Sequence, residues 1–359
     1  MASKISHERV VVDAKRYQPF IHTILVSCKF QPEVARLDER LIFEWKSGLE
    51  KKGDKGDTYY KSEAIMYDLV MCIVCEGLGK AGVATELSVG GEFAAASREY
   101  AAATGIFEFL AEDHLPKWVS RGSSTPEKDL PIECNVQVAK ALTILFKATG
   151  QQMAVATVLI RPGVPNYSLL AKLCKGIQEQ YDAFVNHMRE NAFTLMSRMD
   201  KDFFTLVTFQ IELQKSLSLY FFARSHWEAG HYGLACAFLS DATVALQTRE
   251  SNTRPGVPDV KTIPALKPLN DDLLDLRSHM SKLLHRWESD NSHIYFQAVP
   301  QSVPEDEKLK AGIQMGKSEK FSISEVEPVL LEIPEGALKR TDSDLARELQ
   351  EKLNDGFDC

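Results

Sequence analysis

The stretch Asp271-Asp-Leu-Leu-Asp-Leu-Arg-Ser-His-Met-Ser-Lys-Leu-Leu-His-Arg-Trp287 decides the fold class, because its large apolar residues recur at spacings of three and four. The recurring apolar residues are Leu273, Leu276, Met280, Leu283, Leu284 and Trp287. Such spacing places them on one face of a helix, with the basic residues elsewhere on the circle. The stretch is therefore predicted to be an amphipathic helix that packs on a core.

Helical spacing also dominates the sequence on either side of this stretch. Further helices are predicted over about 61–79, 92–112, 132–159, 167–189, 203–222 and 231–247. Only Arg9–Val12 and Ile294–Val299 favour short strands, and neither is followed by an alternation of helix and strand. We therefore expect a mainly α fold with at most a small β-hairpin.

Two segments far apart in the chain share one pattern. Gly91-x-Phe93-x-x-Ala96 with Ala103 matches Gly230-x-Tyr232-x-x-Ala235 with Ala242. In a helical hairpin, the glycine permits a tight turn, the aromatic residue fills the mouth, and the alanines let the helices approach closely. The pattern predicts tetratricopeptide-like hairpins, although the two copies are too far apart for a regular repeat array.

Loops are predicted where glycine, proline and charge accumulate, at 51–57, 121–131 and 248–268. From Pro300 onward the helical spacing weakens, so we expect an extended wrap over the helical body. Thr341 predicts the N-cap of a short helix at 341–354, with Leu345, Leu349 and Leu353 along one face. This helix could pack on the domain or cover a partner-binding groove, and the sequence leaves both open.

The composition limits the classes of partner and compartment. A formal charge of -8 and a pI near 5.7 argue against a general affinity for nucleic acid or anionic membranes. Seven scattered cysteines, mostly within apolar helical sequence, favour a reducing compartment.

The sequence also predicts no membrane anchor of its own. No uncharged apolar run approaches the roughly 20 residues needed to span a bilayer, and the N-terminus lacks a secretory signal. The terminal Cys359 is not in a prenylation box, because Gly356 occupies the position that requires cysteine. We expect a cytoplasmic protein.

Three short patterns suggest chemistry but lack the context that it needs. Gly77-x-Gly79-x-x-Gly82 fits a dinucleotide fingerprint, yet it follows helical rather than strand-like sequence, so we interpret it as a glycine-rich helix end. His226-x-Glu228-x-x-His231 has its histidines five apart, whereas a zinc helix needs them four apart. Cys72-x-x-Cys75 has no companion ligands, which favours core packing. We predict no cofactor, no metal and no catalytic site.

Four segments carry a resemblance to the BRO-one domain family. Phe43–Leu49 resembles an early Phe-Lys-Trp segment, and Ala103–Leu110 with His114–Lys117 resembles an Ala-Gly-Ile-Phe helix and its exit. Ser168–Leu173 resembles an Ile-Ile-Ala-Lys-Leu helix start, and Asn291–Pro300 resembles the Ile-Tyr-Phe-Gln and Val-Pro exit. Their order and spacing are most similar to the stand-alone, Brox-like members of the family.

The resemblance implies a curved, boomerang-shaped helical solenoid with tetratricopeptide-like hairpins. It implies a domain over residues 1–320, followed by a C-terminal extension at 321–359 that holds the short amphipathic helix.

The resemblance also implies a partner, the C-terminal amphipathic helix of ESCRT-III subunits, the charged multivesicular body proteins. Such a helix would dock its apolar anchors in a groove. In ALIX-like members this patch holds a Phe, and an Ile and a Leu four apart; the latter two fall on Leu169 and Leu173 here. The Phe position falls near Ala154, which removes a large anchor, and Met153 could fill its place.

We therefore predict a non-enzymatic adaptor that acts in endosomal sorting or membrane remodelling and reaches membranes through its partners. Two alternatives remain open at this point. One is a general tetratricopeptide-like scaffold for another peptide, and the other is a helical enzyme with a deep polar pocket.

Overall fold

The computed structural model describes residues 6–31, 41–51, 58–120, 127–248, 256–261 and 263–332. The α-helices within these ranges are α1 (His7–Phe30), α2 (Ile65–Val89), α3 (Phe93–Phe109), α4 (Leu115–Ser120), α5 (Val136–Leu159), α6 (Tyr167–Asn191), α7 (Phe193–Met196), α8 (Lys201–Glu228), α9 (Tyr232–Ala245) and α10 (Lys267–Asp290). Most described residues are helical, which confirms the mainly α class. The predicted helix at 341–354 and the terminal Cys359 lie outside the described residues.

A small antiparallel hairpin joins strands β1 (Phe43–Lys46) and β2 (Tyr59–Ser62), as the fold class anticipated. Asp68 at the start of α2 anchors this hairpin and α1. Its carboxylate accepts hydrogen bonds from Trp45 Nε1 at 2.7 Å and from the Tyr17 hydroxyl at 2.9 Å.

The chain divides into two compact units, which are described separately. The first unit comprises Met1–Val83, Gly105–Lys140 and Glu319–Cys359, and the second comprises Ala84–Thr104 and Ala141–Ser318. In the first unit, α1 buries one face, formed by Ala14, Gln18, Ile21, Leu25 and Cys28. In the second unit, α8 packs against both α6 and α9, and α10 packs against α9.

The three glycines of the Gly-x-Gly-x-x-Gly pattern lie inside α2, not at its end, so both the dinucleotide and the helix-end interpretations are wrong. Their role is close packing. A Cβ added to Gly77 would lie 2.6 Å from the ring of Phe107, and one added to Gly82 would lie 2.4 Å from the ring of His7. Only glycine admits these neighbours so close to the helix backbone.

Both predicted hairpin turns adopt the same backbone geometry. Gly91 and Gly230 have φ of +80° and +82°. After each glycine, an amide donates five residues back, from Glu92 to Leu87 and from His231 to His226, both at 2.9 Å. This is the Schellman motif that ends a helix at a left-handed residue. The two copies therefore build equivalent turns, in α2–α3 and α8–α9.

The alanines of the recurrence are all fully buried: Ala96, Ala103, Ala235 and Ala242. The predicted packing role of these small residues is thus confirmed.

Both strand predictions are wrong. Arg9–Val12 lies within α1, where Ser6 caps the helix by accepting from the Arg9 amide at 3.2 Å. The run of three valines there is typical of a strand, and the buried residues that give α1 its helical spacing begin only at Ala14. Ile294–Val299 begins within a π-helical turn at Asn291–Tyr295 and continues without strand pairing.

The predicted 248–268 loop does not stay on the surface. Its described part returns to the core, because Thr248 bridges Val257, and Val257 and Val260 are fully buried. Helix α10 then begins at Lys267 with Pro268 in its first turn, a position that tolerates proline.

Residues 309–332, hereafter the strap, contain neither helix nor strand. In the second unit, the strap amide of Ile313 donates to the carbonyl of Lys172 at 2.8 Å. In the first unit, the strap amide of Val329 donates to Ser27 Oγ at 2.9 Å, and that of Leu331 to Gln31 Oε1 at 2.8 Å. The expected extended wrap after Pro300 is therefore present as far as residue 332.

Candidate peptide-binding surface

Polar contacts in the second unit join helices α5 and α6. Gln151 Nε2 donates to the carbonyl of Leu173 at 3.0 Å, and Gln151 Oε1 accepts from Gln180 Nε2 at 3.2 Å. The Tyr181 hydroxyl donates to Gln152 Oε1 at 3.0 Å. Only residues 160–166 separate the two helices, so the end of α5 lies near the start of α6.

The start of α6 is fixed by its cap. Asn166 Oδ1 accepts from the Leu169 amide at 2.9 Å, which satisfies one of the free amides of the first turn. This cap holds the Leu169 side chain at a defined place on the surface.

The structure separates the two leucines that were expected to act together. Leu169 is 43% exposed, whereas Leu173 is only 9% exposed. The strap lies over the backbone beside Leu173: Gln151 Nε2 also donates to the Ile313 carbonyl at 2.7 Å, and the Met315 amide donates to Gln151 Oε1 at 2.6 Å. Leu173 is therefore part of the packed interior, and Leu169 faces solvent.

The residues expected at the missing aromatic anchor lie on the outer side of α5. Ala154 is exposed and Met153 is half-buried. Met153 accordingly exposes only part of its side chain to solvent.

Other apolar residues shortly before α6 in the chain are exposed like Leu169. Val158, Leu159, Ile160 and Val164, at the end of α5 and in the following loop, are all exposed. We call these four residues together with Ala154 and Leu169 the α5–α6 corner. Our sequence analysis missed the four, although an apolar run that stops at Arg161-Pro162-Gly163 could have indicated an exposed helix end.

The other candidate chemistry is dispersed. His226 Nδ1 lies 3.3 Å from His231 Nδ1, but across the described ranges no third His, Cys, Asp or Glu joins them in a group able to hold a metal. Cys72 packs in the core and its Sγ donates to the Ala14 carbonyl at 3.4 Å. Burial raises the pKa of the Cys72 thiol to about 12, which suits a packing role rather than a reactive one.

One cavity of about 380 Å³ lies between α6, α8 and α9 in the second unit. Its lining includes Leu219, Phe222, Phe238 and the hydroxyl-bearing Ser218. Ser218 Oγ donates to the Ala171 carbonyl at 2.9 Å, so this hydroxyl joins two helices instead of serving as a nucleophile.

None of the helices in the described ranges is long and apolar enough to cross a membrane.

The fold defines a class, a helical-hairpin scaffold, and its α5–α6 corner is an exposed apolar surface. The sequence model of the BRO1-like domain family matches residues 14–342. The chain belongs to this family. No curated protein matches the sequence.

Solved structures share the fold at low sequence identity. A structure described as "ALIX BRO1 CHMP4C complex" has a TM-score of 0.67 at 15% identity, covering 90% of this chain and 82% of that one. One described as "Structure basis for endosomal targeting by the Bro1 domain" has a TM-score of 0.65 at 17% identity, covering 98% and 84%. One of ALIX with the SIVmac239 PYKEVTEDL late domain has a TM-score of 0.67 at 16% identity, covering 98% and 44%.

Proposed function

We propose that this chain is a non-enzymatic adaptor whose α5–α6 corner binds the C-terminal amphipathic helix of an ESCRT-III subunit. Membership of the BRO1-like domain family supports this, as does the similarity to a BRO1 domain described in complex with CHMP4C. The observation that carries the proposal is the exposure of Leu169 at the start of α6 and of Val158 and Leu159 at the end of α5. An amphipathic helix buries its apolar face on such a surface.

Within this proposal the two leucines have different roles. Leu169 contacts the partner, and Leu173 supports the surface from the packed interior, because only 9% of it is exposed. Met153 and Ala154 border the same surface on α5. The corner residues Val158, Leu159, Ile160 and Val164 compensate for the aromatic anchor that Ala154 does not provide.

Localisation follows from the partner. We infer a cytoplasmic protein that is recruited to endosomal membranes by ESCRT-III, without its own strong attraction to anionic lipids, given a formal charge of -8.

The test is a fluorescence-polarisation titration of the full chain against C-terminal helix peptides from several charged multivesicular body proteins. Leu169→Asp should weaken binding about tenfold or more, because it places a charge at an apolar anchor. Leu274→Asp is the matched control, since Leu274 is 45% exposed on α10 in the same unit. Absence of binding by the native chain, or equal effects of both variants, would overturn the proposal.

A further inference from the structure

Helix α1 has a second apolar stripe, which faces solvent. Tyr17, Phe20 and Ile24 follow one another at spacings of three and four, away from the face that α1 buries. Their exposed fractions are 44%, 63% and 43%. Because a surface helix usually has only one apolar face, a second exposed one marks an interaction surface. We call these three residues the α1 stripe.

The strap is fixed to the C-terminal half of α1 at two points. His22 Nδ1 lies 2.9 Å from the carbonyl oxygen of Ser324, and the Val329 amide donates to Ser27 Oγ at 2.9 Å. Ile24 lies between His22 and Ser27 in the helix. The strap segment between its two anchors therefore crosses α1 at about the level of Ile24.

The two ends of the α1 stripe differ in charge. Glu325 and Glu327 are exposed in the strap segment that crosses α1 near Ile24. At the other end, Arg16 is exposed one turn before Phe20. None of these three charged side chains forms an ion pair with another described residue. The surface around the stripe is thus acidic at one end and basic at the other.

Neighbouring charges do not reverse this difference. Arg9 and Asp13, further toward the N-terminus, pair with each other at 2.7 Å and add no net charge. Lys15 and Lys29 lie at least about 120° around the helix from every residue of the α1 stripe. Arg16 is therefore the cation that lies beside the stripe.

We propose that the α1 stripe binds the α1 stripe of a second copy of this chain. The two α1 helices run antiparallel about a two-fold axis near Phe20. In such a contact the same surface occurs on both sides, so it must be complementary to itself. Apolar residues have to meet around the axis, and opposite charges have to meet at the ends.

The positions of the charges satisfy this condition. Arg16 lies four residues before Phe20 and Ile24 lies four residues after it, about 6 Å away in each direction. The two-fold axis therefore places Arg16 of one copy at the level of Ile24 in the other, where the strap carries Glu325 and Glu327. This contact occurs twice, and opposite charges that meet in this way fix the register of an interface.

The same arrangement favours a second copy over a different partner of uniform charge. A basic partner would meet Arg16, and an acidic partner would meet Glu325 and Glu327. The formal charge of -8 opposes the pairing only weakly, because physiological salt screens charges beyond about 8 Å. Most of the affinity comes from burial of the apolar side chains, since exposed ion pairs add little.

The test is sedimentation velocity of the full chain in reducing buffer, from about 1 µM to about 200 µM, a range suited to a small interface. The weight-average sedimentation coefficient should rise with concentration, from that of a monomer toward that of a dimer. Phe20→Asp should raise the dissociation constant of the dimer at least about tenfold, because it places a charge at the centre of the contact. Phe193→Asp should leave it unchanged and is the matched control, since Phe193 is 73% exposed on α7 in the other unit.

Charge reversal tests the register. Arg16→Glu, and separately Glu325→Arg together with Glu327→Arg, should each raise the dissociation constant about three- to tenfold. All three changes together should restore the native affinity, because the charges have only exchanged sides. Far-UV circular dichroism checks that each variant is folded.

Three results would overturn the proposal. The native chain could stay monomeric over the whole concentration range, or Phe20→Asp and Phe193→Asp could dimerise alike. The variant with all three charge changes could also dimerise no better than the separate reversals.

Discussion

The backbone amide of Ile313 donates to the carbonyl of Lys172 at 2.8 Å, so the strap is hydrogen-bonded directly to the backbone of helix α6. This approach is possible because Gly176 lies beneath the strap. A Cβ at Gly176 would lie 2.1 Å from the Ile313 carbonyl oxygen.

Gly176→Ala should therefore displace the strap and lower the free energy of unfolding by about 1–3 kcal/mol, the usual cost of overpacking. Urea unfolding measures the loss, and limited proteolysis should show new cleavage near Ile313. Gly90→Ala is the control, because the nearest atom to an added Cβ there is the Leu87 carbonyl oxygen, at 3.4 Å. Equal stability of the two variants would mean that the strap is not packed as described.

Burial predicts different outcomes for the two leucines of α6. Leu173→Ala should lower the free energy of unfolding by about 2–4 kcal/mol, because it leaves a cavity in the packed interior. Leu169→Ala removes an exposed side chain and should cost less than about 1 kcal/mol. Equilibrium urea unfolding of both variants checks this, and a reversed order would contradict the placement of Leu173 in the interior.

This difference could not have been predicted from the sequence. Leu169 and Leu173 are four apart and project from one face of α6, so local spacing treats them alike. Only Leu173 is buried, and burial on α6 depends on distant sequence: α8 packs against this helix, and the Ile313 amide, about 140 residues later, donates to the Lys172 carbonyl. The strap has no periodic pattern, and its bonds involve backbone atoms, so no residue type signals where it docks.

The helical hairpins, in contrast, could be predicted because their cause is local. Gly91 and Gly230 sit at the left-handed position that each helix end requires, and the buried alanines follow at fixed spacing. Helix α1 was missed because its run of three valines favoured a strand at Arg9–Val12. Its packing partner comes from distant sequence: Gln18 Nε2 donates to Glu76 Oε2 of α2 at 2.7 Å.

The two turn glycines should contribute equally to stability. For both Gly91 and Gly230, nothing lies within 4 Å of an added Cβ, so substitution costs only the strain of a left-handed backbone. Each Gly→Ala change should lower the free energy of unfolding by about 1 kcal/mol, and the double variant by about 2 kcal/mol. Gly→Asn at either site should recover part of the loss, since asparagine tolerates this conformation. If urea unfolding shows that one of the two Gly→Ala variants is as stable as the native chain, the two turns are not equivalent.

His114 should make the stability of the chain sensitive to mild acid. Its ring stacks on Phe109 with centroids 5.5 Å apart, and its buried Nε2 has no hydrogen-bond partner among the described residues. Burial lowers the pKa of His114 from 6.5 to about 4. Below pH 6.5 His114 becomes protonated in the unfolded chain, whereas in the folded chain it stays neutral until the pH approaches 4. The contribution of His114 to the free energy of unfolding is therefore complete above pH 6.5 and is lost as the pH falls toward 4.

The full shift corresponds to about 3 kcal/mol, by the relation between pKa and free energy. His114→Phe keeps the ring stack but has no titrating group, so it should reduce the difference in the free energy of unfolding between pH 7 and pH 4.5. Urea unfolding at both pH values measures that difference. His285→Phe, at an exposed site on α10, should leave it unchanged. If both variants keep the native pH dependence, another group causes the acid sensitivity and His114 is not excluded from water as the fold requires.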